Sequence, residues 1–279
     1  SASSAKSQYN NEGFFARAQY DYNNRIFLSA SYRLDASSRF HPDNRWGSFW
    51  SLGGGWIINQ EAWFPRTPWI DMLKLKASIG SQGNDNIGNF LYADRYDISN
   101  SDGKVGVAFG AKGTKDITWE TNTNFNAGFE FELLKRLSGG IEYYKRNTTD
   151  MLFSFSVAPS AGYTSYYDNV GDLFNDGIEL ELSYDIIKRR NINWNVFGNI
   201  STLRNRITML HEDNKTTSYF DLEGNEYFGY TSGSFFIAEG ASMYSWRLKE
   251  FAGVDPVTGQ SLWYKDVEEM DANGDPTGK

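Results

Sequence analysis

The stretch Asn11 to Asp35 reads NEGFFARAQYDYNNRIFLSASYRLD. Phe14, Ala16, Ala18, Tyr20 and Tyr22 fall on one side of an extended chain, with Arg17, Gln19 and Asp21 on the other. Asn23-Asn24 then breaks the pattern, and Asn tolerates the left-handed backbone of a tight hairpin. From Ile26 the alternation resumes, with Ile26, Leu28, Ala30, Tyr32 and Leu34 against Ser29, Ser31, Arg33 and Asp35. The two halves are predicted to form a β-hairpin with one apolar and one polar face.

The same period returns along the chain. Trp46, Trp50, Leu52, Trp56 and Ile58 share a face opposite Gly47, Ser51, Gly53 and Gly55. Leu73, Leu75, Ala77 and Ile79 alternate with Lys74, Lys76, Ser78 and Gly80. Phe125 to Leu133 alternates with Asn124, Asn126, Gly128, Glu130 and Glu132. Ile141 and Tyr143 oppose Glu142, Tyr144 and Arg146. Ile178 to Ile186 alternates with Glu179, Glu181, Ser183 and Asp185, and Ile192, Trp194, Val196 and Ile200 with Asn193, Asn195, Asn199 and Ser201. These make about eight strands of roughly ten residues, the length a tilted strand needs to cross a bilayer.

The connections sort by length. Those at Asn23-Asn24, Lys135 to Leu137 and Ile187 to Arg190 are short, and Asn59 to Met72, with Pro65 and Pro68, is intermediate. Between them fall Ala36 to Arg45, Asn84 to Asp116, Asn147 to Asn169 and the segment from Asn205 onward, all longer. Short turns at one end and long loops at the other are the asymmetry of outer-membrane barrels. In such a barrel the apolar face meets lipid and the polar face a wet lumen. Soluble sheets give the same alternation with the faces reversed in role. Paired charges on the polar face (Lys74 and Lys76, Glu130 and Glu132, Glu179 and Glu181) and aromatic ends to the apolar rows (Tyr20, Tyr22, Tyr32, Trp46, Tyr184) favour the barrel.

Composition narrows the chemistry. The chain has 279 residues, no Cys and two His, His41 and His211. Disulfide scaffolds, thiolate metal sites and cysteine nucleophiles are excluded, and a multi-histidine metal centre is not supported. The formal net charge of −8 argues against nucleic acid as a partner. Aromatics make up 16% beside 27 Gly and 6 Pro, the balance of an aromatic-rich β protein. No apolar run reaches transmembrane-helix length, and Ser1 to Ser7 lack the apolar stretch of a signal peptide. The ends, including the acidic, turn-forming Asp266 to Lys279, read as those of a piece of a longer chain.

Several stretches carry a resemblance. YDYNNRIFLSASYRLDASSRFHPDNRWGSFWSLGGGWIINQEAW (Tyr20 to Trp63) resembles a hallmark of the SusC/RagA-type TonB-dependent transporters of Bacteroidota. LKLKASIGSQGND (Leu73 to Asp85), ITWETNTNFNAGFEFELL (Ile117 to Leu134), GGIEYYKRNTTDML (Gly139 to Leu152) and NVGDLFNDGIELELSY (Asn169 to Tyr184) are similar to later strands of that family, in its order. EGASMYSWRLKEFAGVDPVTGQSLWY (Glu239 to Tyr264) resembles its extracellular segment beyond, while Ala36 stands where the family would have Gly. The resemblance implies an all-β, antiparallel transmembrane barrel of roughly 22 strands closed around a plug. This chain then supplies eight strands over 12–203 and an extracellular loop region over 204–279, with plug and TonB box outside it. It further implies TonB-energised import of oligosaccharides or peptides across the cell outer membrane. A SusD-like surface lipoprotein would be the lid, and outer-membrane lipid and the remaining barrel the neighbours. No cofactor is implied.

Candidate site residues follow. Arg17, Arg33, Glu130, Glu132, Glu179 and Glu181 are expected to face the lumen. Phe90, Tyr92, Tyr96, Tyr163, Tyr166 and Tyr167 lie in long loops and are expected to touch ligand or lid, or to fold the loops onto one another. Glu179 and Glu181 have the residue types of a glycosidase pair, but no companion motif supports hydrolysis. Asp271, Asn273 and Asp275 have the spacing of a calcium loop, with Pro276 where such a loop wants Gly. A polar turn is the simpler reading. Trp63, Phe64 and Trp69 are expected to anchor the short-turn end at an interface. A soluble carbohydrate-binding β protein, and behind it a β-rich glycoside hydrolase, are the competing readings; no catalytic residue and no metal ligand is assigned.

Overall fold

A computed structural model describes residues 8–101, 104–157, 159–163, 165–221 and 223–264. The calcium-like spacing at Asp271, Asn273 and Asp275, with Pro276, lies outside them. The strands are β1 (Asn11–Tyr22), β2 (Ile26–Ser37), β3 (Trp46–Ile57), β4 (Ile70–Asn84), β5 (Arg95–Ser101), β6 (Lys104–Ala111), β7 (Glu120–Leu133), β8 (Leu137–Thr149), β9 (Leu152–Ser156), β10 (Ser165–Asn169), β11 (Asp172–Arg189), β12 (Ile192–Ser201), β13 (Arg204–Met209), β14 (Thr217–Phe220), β15 (Glu226–Ser232), β16 (Phe235–Ala238), β17 (Phe251–Val254) and β18 (Ser261–Trp263).

Eight of them form one antiparallel wall in the order β1-β2-β3-β4-β7-β8-β11-β12. The wall is an open arc: among the described residues β1 bonds only β2, and β12 only β11. The registers make the alternation of each strand a property of the whole sheet. Tyr22, Ile26, Trp56, Leu75, Phe129, Ile141, Leu180 and Ile200 stand opposite one another in turn across all eight strands. Residues directly opposite share a face, so the eight rows merge into one apolar surface. Among the described residues nothing covers it: Leu28, Leu52, Leu75, Phe129, Ile178 and Leu182 are all exposed. A soluble sandwich would bury this face against a second sheet; here it is a contiguous apolar surface of the kind that meets lipid.

Two residues depart from the sequence pattern. Ile58, read as the end of its apolar row, opens a 3₁₀ turn over Ile58–Gln60. Ile186 falls at a bulge between Asp185 and Ile187, where β11 shifts register against β12.

The hairpins explain how the wall turns. Asn23 and Asn24 have φ of 51° and 53°, the two left-handed positions of a tight turn. At the β7–β8 turn the same conformation is held by Leu134 and Lys135, both at φ 54°, although neither residue favours it. Neighbours hold it: the Lys135 amide donates to Asp71 at 2.5 Å, the Leu134 amide to the Trp69 carbonyl at 2.9 Å, and Lys188 donates to the Lys135 carbonyl at 3.0 Å. Near the β3–β4 connection Trp56 and Trp63 meet edge-on at 6.0 Å, and Glu61 accepts from the Trp56 indole at 3.1 Å and pairs with Arg25 at 3.2 Å. Trp63 and Trp69 remain exposed.

The long connections, expected as loops, contain strands of their own. β5–β6 and β9–β10 are hairpins, β14–β15–β16 a small sheet and β17–β18 a further pair. The wall also runs further than residue 203. β13 continues the line of β12 along the other half of β11, with Asp176 opposite Arg204 and Leu173 opposite Ile207. Between the two, the Thr202 hydroxyl accepts the Ile178 amide at 3.0 Å. Gly177 permits this approach, because a Cβ there would stand 1.9 Å from the Thr202 carbonyl oxygen.

The buried core sits under the long connections. Phe40, Phe49, Ile87, Leu91, Ile117 and Trp119 form one cluster, with Tyr92, Leu152 and Tyr167 against it. Phe49 projects from the polar side of β3 and fills the space over Gly83, whose Cβ would stand 2.1 Å from the Phe49 ring. Trp119 meets Phe40 and Phe49 at 5.4 Å each and donates to the Arg45 carbonyl at 2.8 Å.

Candidate functional site

The polar face of the wall is the first candidate surface. Arg17, Arg33, Glu130, Glu132, Glu179 and Glu181 all lie on it, as the alternation predicts. Its centre is an ion lattice across three strands. Lys74 and Lys76 reach Glu130 at 3.2 and 3.1 Å, and Lys76 also reaches Glu142 at 2.6 Å. Exposed pairs contribute little singly, and a shared network is the arrangement that counts. Glu179 stands directly opposite Glu142, and Glu181 opposite Gly140. These two carboxylates project side by side from one strand. Among the described residues no group of three or more His, Asp or Glu is arranged to hold a metal.

Toward the long-connection end the polar face hollows into a basin of about 520 Å³, lined by Ser31, Arg33, Asp35, Ser51, Gln82, Asn124, Asn126 and Trp119 among others. Small hydroxyls and amides line it together with charged groups and the aromatic Phe49 and Trp119. Ser31 and Ser51 share a hydrogen bond at 2.6 Å, and Arg146 donates to Asn124 at 2.7 Å. Such a wall offers many donors and acceptors and an aromatic edge, which suits a polyhydroxyl or peptide ligand.

Asp85 ties the basin to the loops above it. It accepts from Ser37 at 2.7 Å and Tyr9 at 3.0 Å, and its carbonyl accepts from Arg39 at 2.7 Å. Arg39 also lies over the Tyr9 ring at 4.6 Å. Asn169 joins two further connections. Its amide accepts from the Thr118 N–H at 2.6 Å and donates to the carbonyls of Thr118 at 2.9 Å and Asp150 at 2.8 Å. Asn169→Ala is expected to cost about 1–3 kcal/mol of local stability, because part-buried backbone groups lose their partner. Faster hydrogen exchange at the Thr118 amide, with the wall strands unchanged, checks this.

The six loop aromatics divide. Tyr92 and Tyr167 pack against the buried cluster, so both help to fold the loops. Phe90 and Tyr96 are exposed, and Phe90 sits at φ 61°. Tyr163 and Tyr166 stand in a file of ring contacts, Tyr96–Phe109–Tyr163–Tyr166–Phe155–His211, each step between 5.3 and 6.4 Å. Burial raises the Tyr166 phenol above its ordinary pKa, with Asp168 and Asp213 adding to the effect. The file joins three connections through Phe109, Phe155 and His211, none of which the sequence reading selected. Beyond it, the Leu210 N–H, followed by Lys215, holds the Glu239 carboxyl below its ordinary range against partial burial. This contact is present above the ordinary glutamate range and is lost as pH falls through the lowered value.

Sequence reasoning missed the core cluster and the two polar ties. Phe49 was the available signal: a large apolar side chain on the face that otherwise carries Gly and Ser must be covered by something.

The family described as TonB dependent receptor-like, beta-barrel, matches residues 1–275. The TonB-dependent receptor SusC of Bacteroides thetaiotaomicron is 31% identical over 245 residues, covering 80% of this chain and 24% of that protein. The TonB-dependent receptor P39 of Formosa agariphila is 29% identical over 234 residues, covering 82% of this chain and 21% of its own length. The solved structure of the RagAB peptide transporter superposes with a TM-score of 0.80 at 30% identity, over 95% of this chain and 28% of that one. The chain thus spans about a quarter or less of the curated relatives it matches. The continuous apolar face, the open eight-strand arc and these matches agree: the chain belongs to the TonB-dependent receptor-like β-barrel family, in its SusC/RagA-type branch.

Proposed function

We propose that this chain forms one arc of the wall of an outer-membrane transporter that imports oligosaccharides or peptides, energised through TonB and covered by a SusD-like lipoprotein. The observation that carries the reading is the register: one uncovered apolar face for lipid, backed by one polar face with an ion lattice and a hydrogen-bonding basin. The similarity to the TonB-dependent receptor SusC supports the energising by TonB, and that to a RagAB peptide transporter supports the peptide class. In this reading Arg17, Arg33, Glu130, Glu132, Glu179 and Glu181 face the lumen. Phe90 and Tyr96, which are exposed, are the ligand or lid contacts, with Tyr163 and Tyr166 behind them and Tyr92 and Tyr167 as their support. The carboxylates have no catalytic role.

Cells lacking the intact protein are expected to lose uptake of one oligosaccharide or peptide mixture, and complementation to restore it. Unchanged uptake of both classes overturns the proposal. Orientation has its own test. The exposed Lys104 on the β5–β6 hairpin is the probe for the long-connection end. Lys104→Cys is expected to react with a membrane-impermeant reagent on intact cells, and Arg189→Cys is not. Lys135, Arg136, Lys188, Arg189 and Arg190 would then share the periplasmic side. The reverse labelling would invert the topology.

A further inference from the structure

The apolar face of the wall does not stay apolar to its outer end. Along it, Phe125 stands opposite Lys145, Lys145 opposite Asp176, and Asp176 opposite Arg204. One step nearer the long connections, Asn147 stands opposite Phe174 and Phe174 opposite Arg206. Because opposed residues share a face, Lys145, Arg204 and Arg206 lie on the same outward surface as Phe125 and Tyr143, just above them. Three cations on the lipid side of a wall need a reason.

The three are arranged rather than scattered. Arg204 is held bidentate by Asp176, both bonds at 2.8 Å, and Asp176 is buried. Arg204 and Lys145 lie over the Phe174 ring, 5.6 and 5.1 Å from its centroid. Lys145 and Arg206 form no ion pair among the described residues. Asp172, the other carboxylate at this end of β11, accepts from the Asp150 N–H. The surface therefore carries three cations and two carboxylates, Asp176 paired with Arg204 and Asp172 bonded to the Asp150 N–H, which leaves Lys145 and Arg206 as the cations without a paired carboxylate among the described residues.

We propose that this surface on β8, β11 and β13 binds the phosphate of an outer-leaflet glycolipid headgroup. Arg204, oriented by Asp176, presents its exposed edge; Lys145 and Arg206 flank it, and Phe174 holds the two cations beside it in place. Guanidinium groups match phosphate oxygens in pairs, while an ammonium adds a point charge. Tyr143 and Phe125 beneath would meet the first methylenes of the acyl chains. The inference rests on the outer-membrane reading above.

The test uses the intact protein in detergent, titrated with lipid A, with dephosphorylated lipid A and with millimolar inorganic phosphate. Lipid A is expected to bind, the dephosphorylated form not to bind, and inorganic phosphate not to compete. Lys145→Gln/Arg206→Gln, which leaves the Asp176–Arg204 pair intact, is expected to weaken lipid A binding roughly 25-fold, about fivefold per cation. Lys145→Arg/Arg206→Lys is expected to bind as the native protein, and heat-dependent gel mobility reports that each variant is folded. Equal affinity for both lipid A forms, or for the native protein and the glutamine variant, overturns the inference. Competition by inorganic phosphate overturns the lipid assignment. A protein found in the outer membrane with no phosphate-dependent lipid binding sinks this inference alone, whereas absence from that membrane sinks the transporter reading.

Discussion

Alanine at Phe40 is expected to cost about 3–5 kcal/mol in the outer part of the molecule, the range for emptying a fully buried aromatic site. Phe40 has no exposed surface, and its ring meets Trp119 within a cluster that also holds Phe49, Ile87, Leu91 and Ile117. The cluster joins the β2–β3 connection to the long connection after β4, so its loss releases both. The wall strands keep their own ladders. Limited proteolysis of the intact protein in membranes should therefore cut within 85–119 in the variant while the barrel retains its heat-dependent gel mobility. Unchanged cleavage would mean that the ties at Asp85 and Asn169 hold the loops without the apolar cluster.

Leu180→Arg is expected to destabilise the barrel by about 2–4 kcal/mol, and Ser183→Arg by much less. Leu180 lies midway along β11, opposite Ile141 and Ile200 on the uncovered apolar face. An arginine there has to snorkel toward an interface or thin the bilayer around it. Ser183 lies on the polar face and accepts a hydrogen bond from Asn195 at 2.9 Å, so an arginine in its place stays in water. Denaturant unfolding in lipid vesicles separates the two. Equal losses would remove the distinction between a lipid face and a wet face.

The wall was legible because a strand carries its own ruler. Side chains alternate with period two, and the short turns allow little choice of register. Leu73 to Ile79 and Phe125 to Leu133 could be placed on one face from spacing alone, and their registers agree. The loop architecture was not legible for the opposite reason. Phe40, Ile87 and Ile117 are far apart in sequence and sit singly among polar residues, so no local period marks them as a core. Val105, Val107 and Phe109 do alternate, but within a connection whose length already suggested a loop. The aromatic file escaped because its links, Phe109, Phe155 and His211, come from three connections. The basic row at Lys145, Arg204 and Arg206 requires the register of three strands at once, and a single strand shows only an isolated charge.

The two kinds of tight turn give the arc an order of assembly. Asn23-Asn24 adopts its backbone at little local cost, so the β1–β2 hairpin can close on its own. Leu134-Lys135 cannot rely on local preference, since its backbone is held by Asp71 and the Trp69 carbonyl from one side and Lys188 from the other. That turn becomes stable only when the strands on both flanks have arrived. Of these two corners, the β7–β8 turn would thus set only after its flanking strands have paired. An Asn-Gly pair in place of Leu134-Lys135 would let that corner close early and change the sequence of insertion without changing the finished wall.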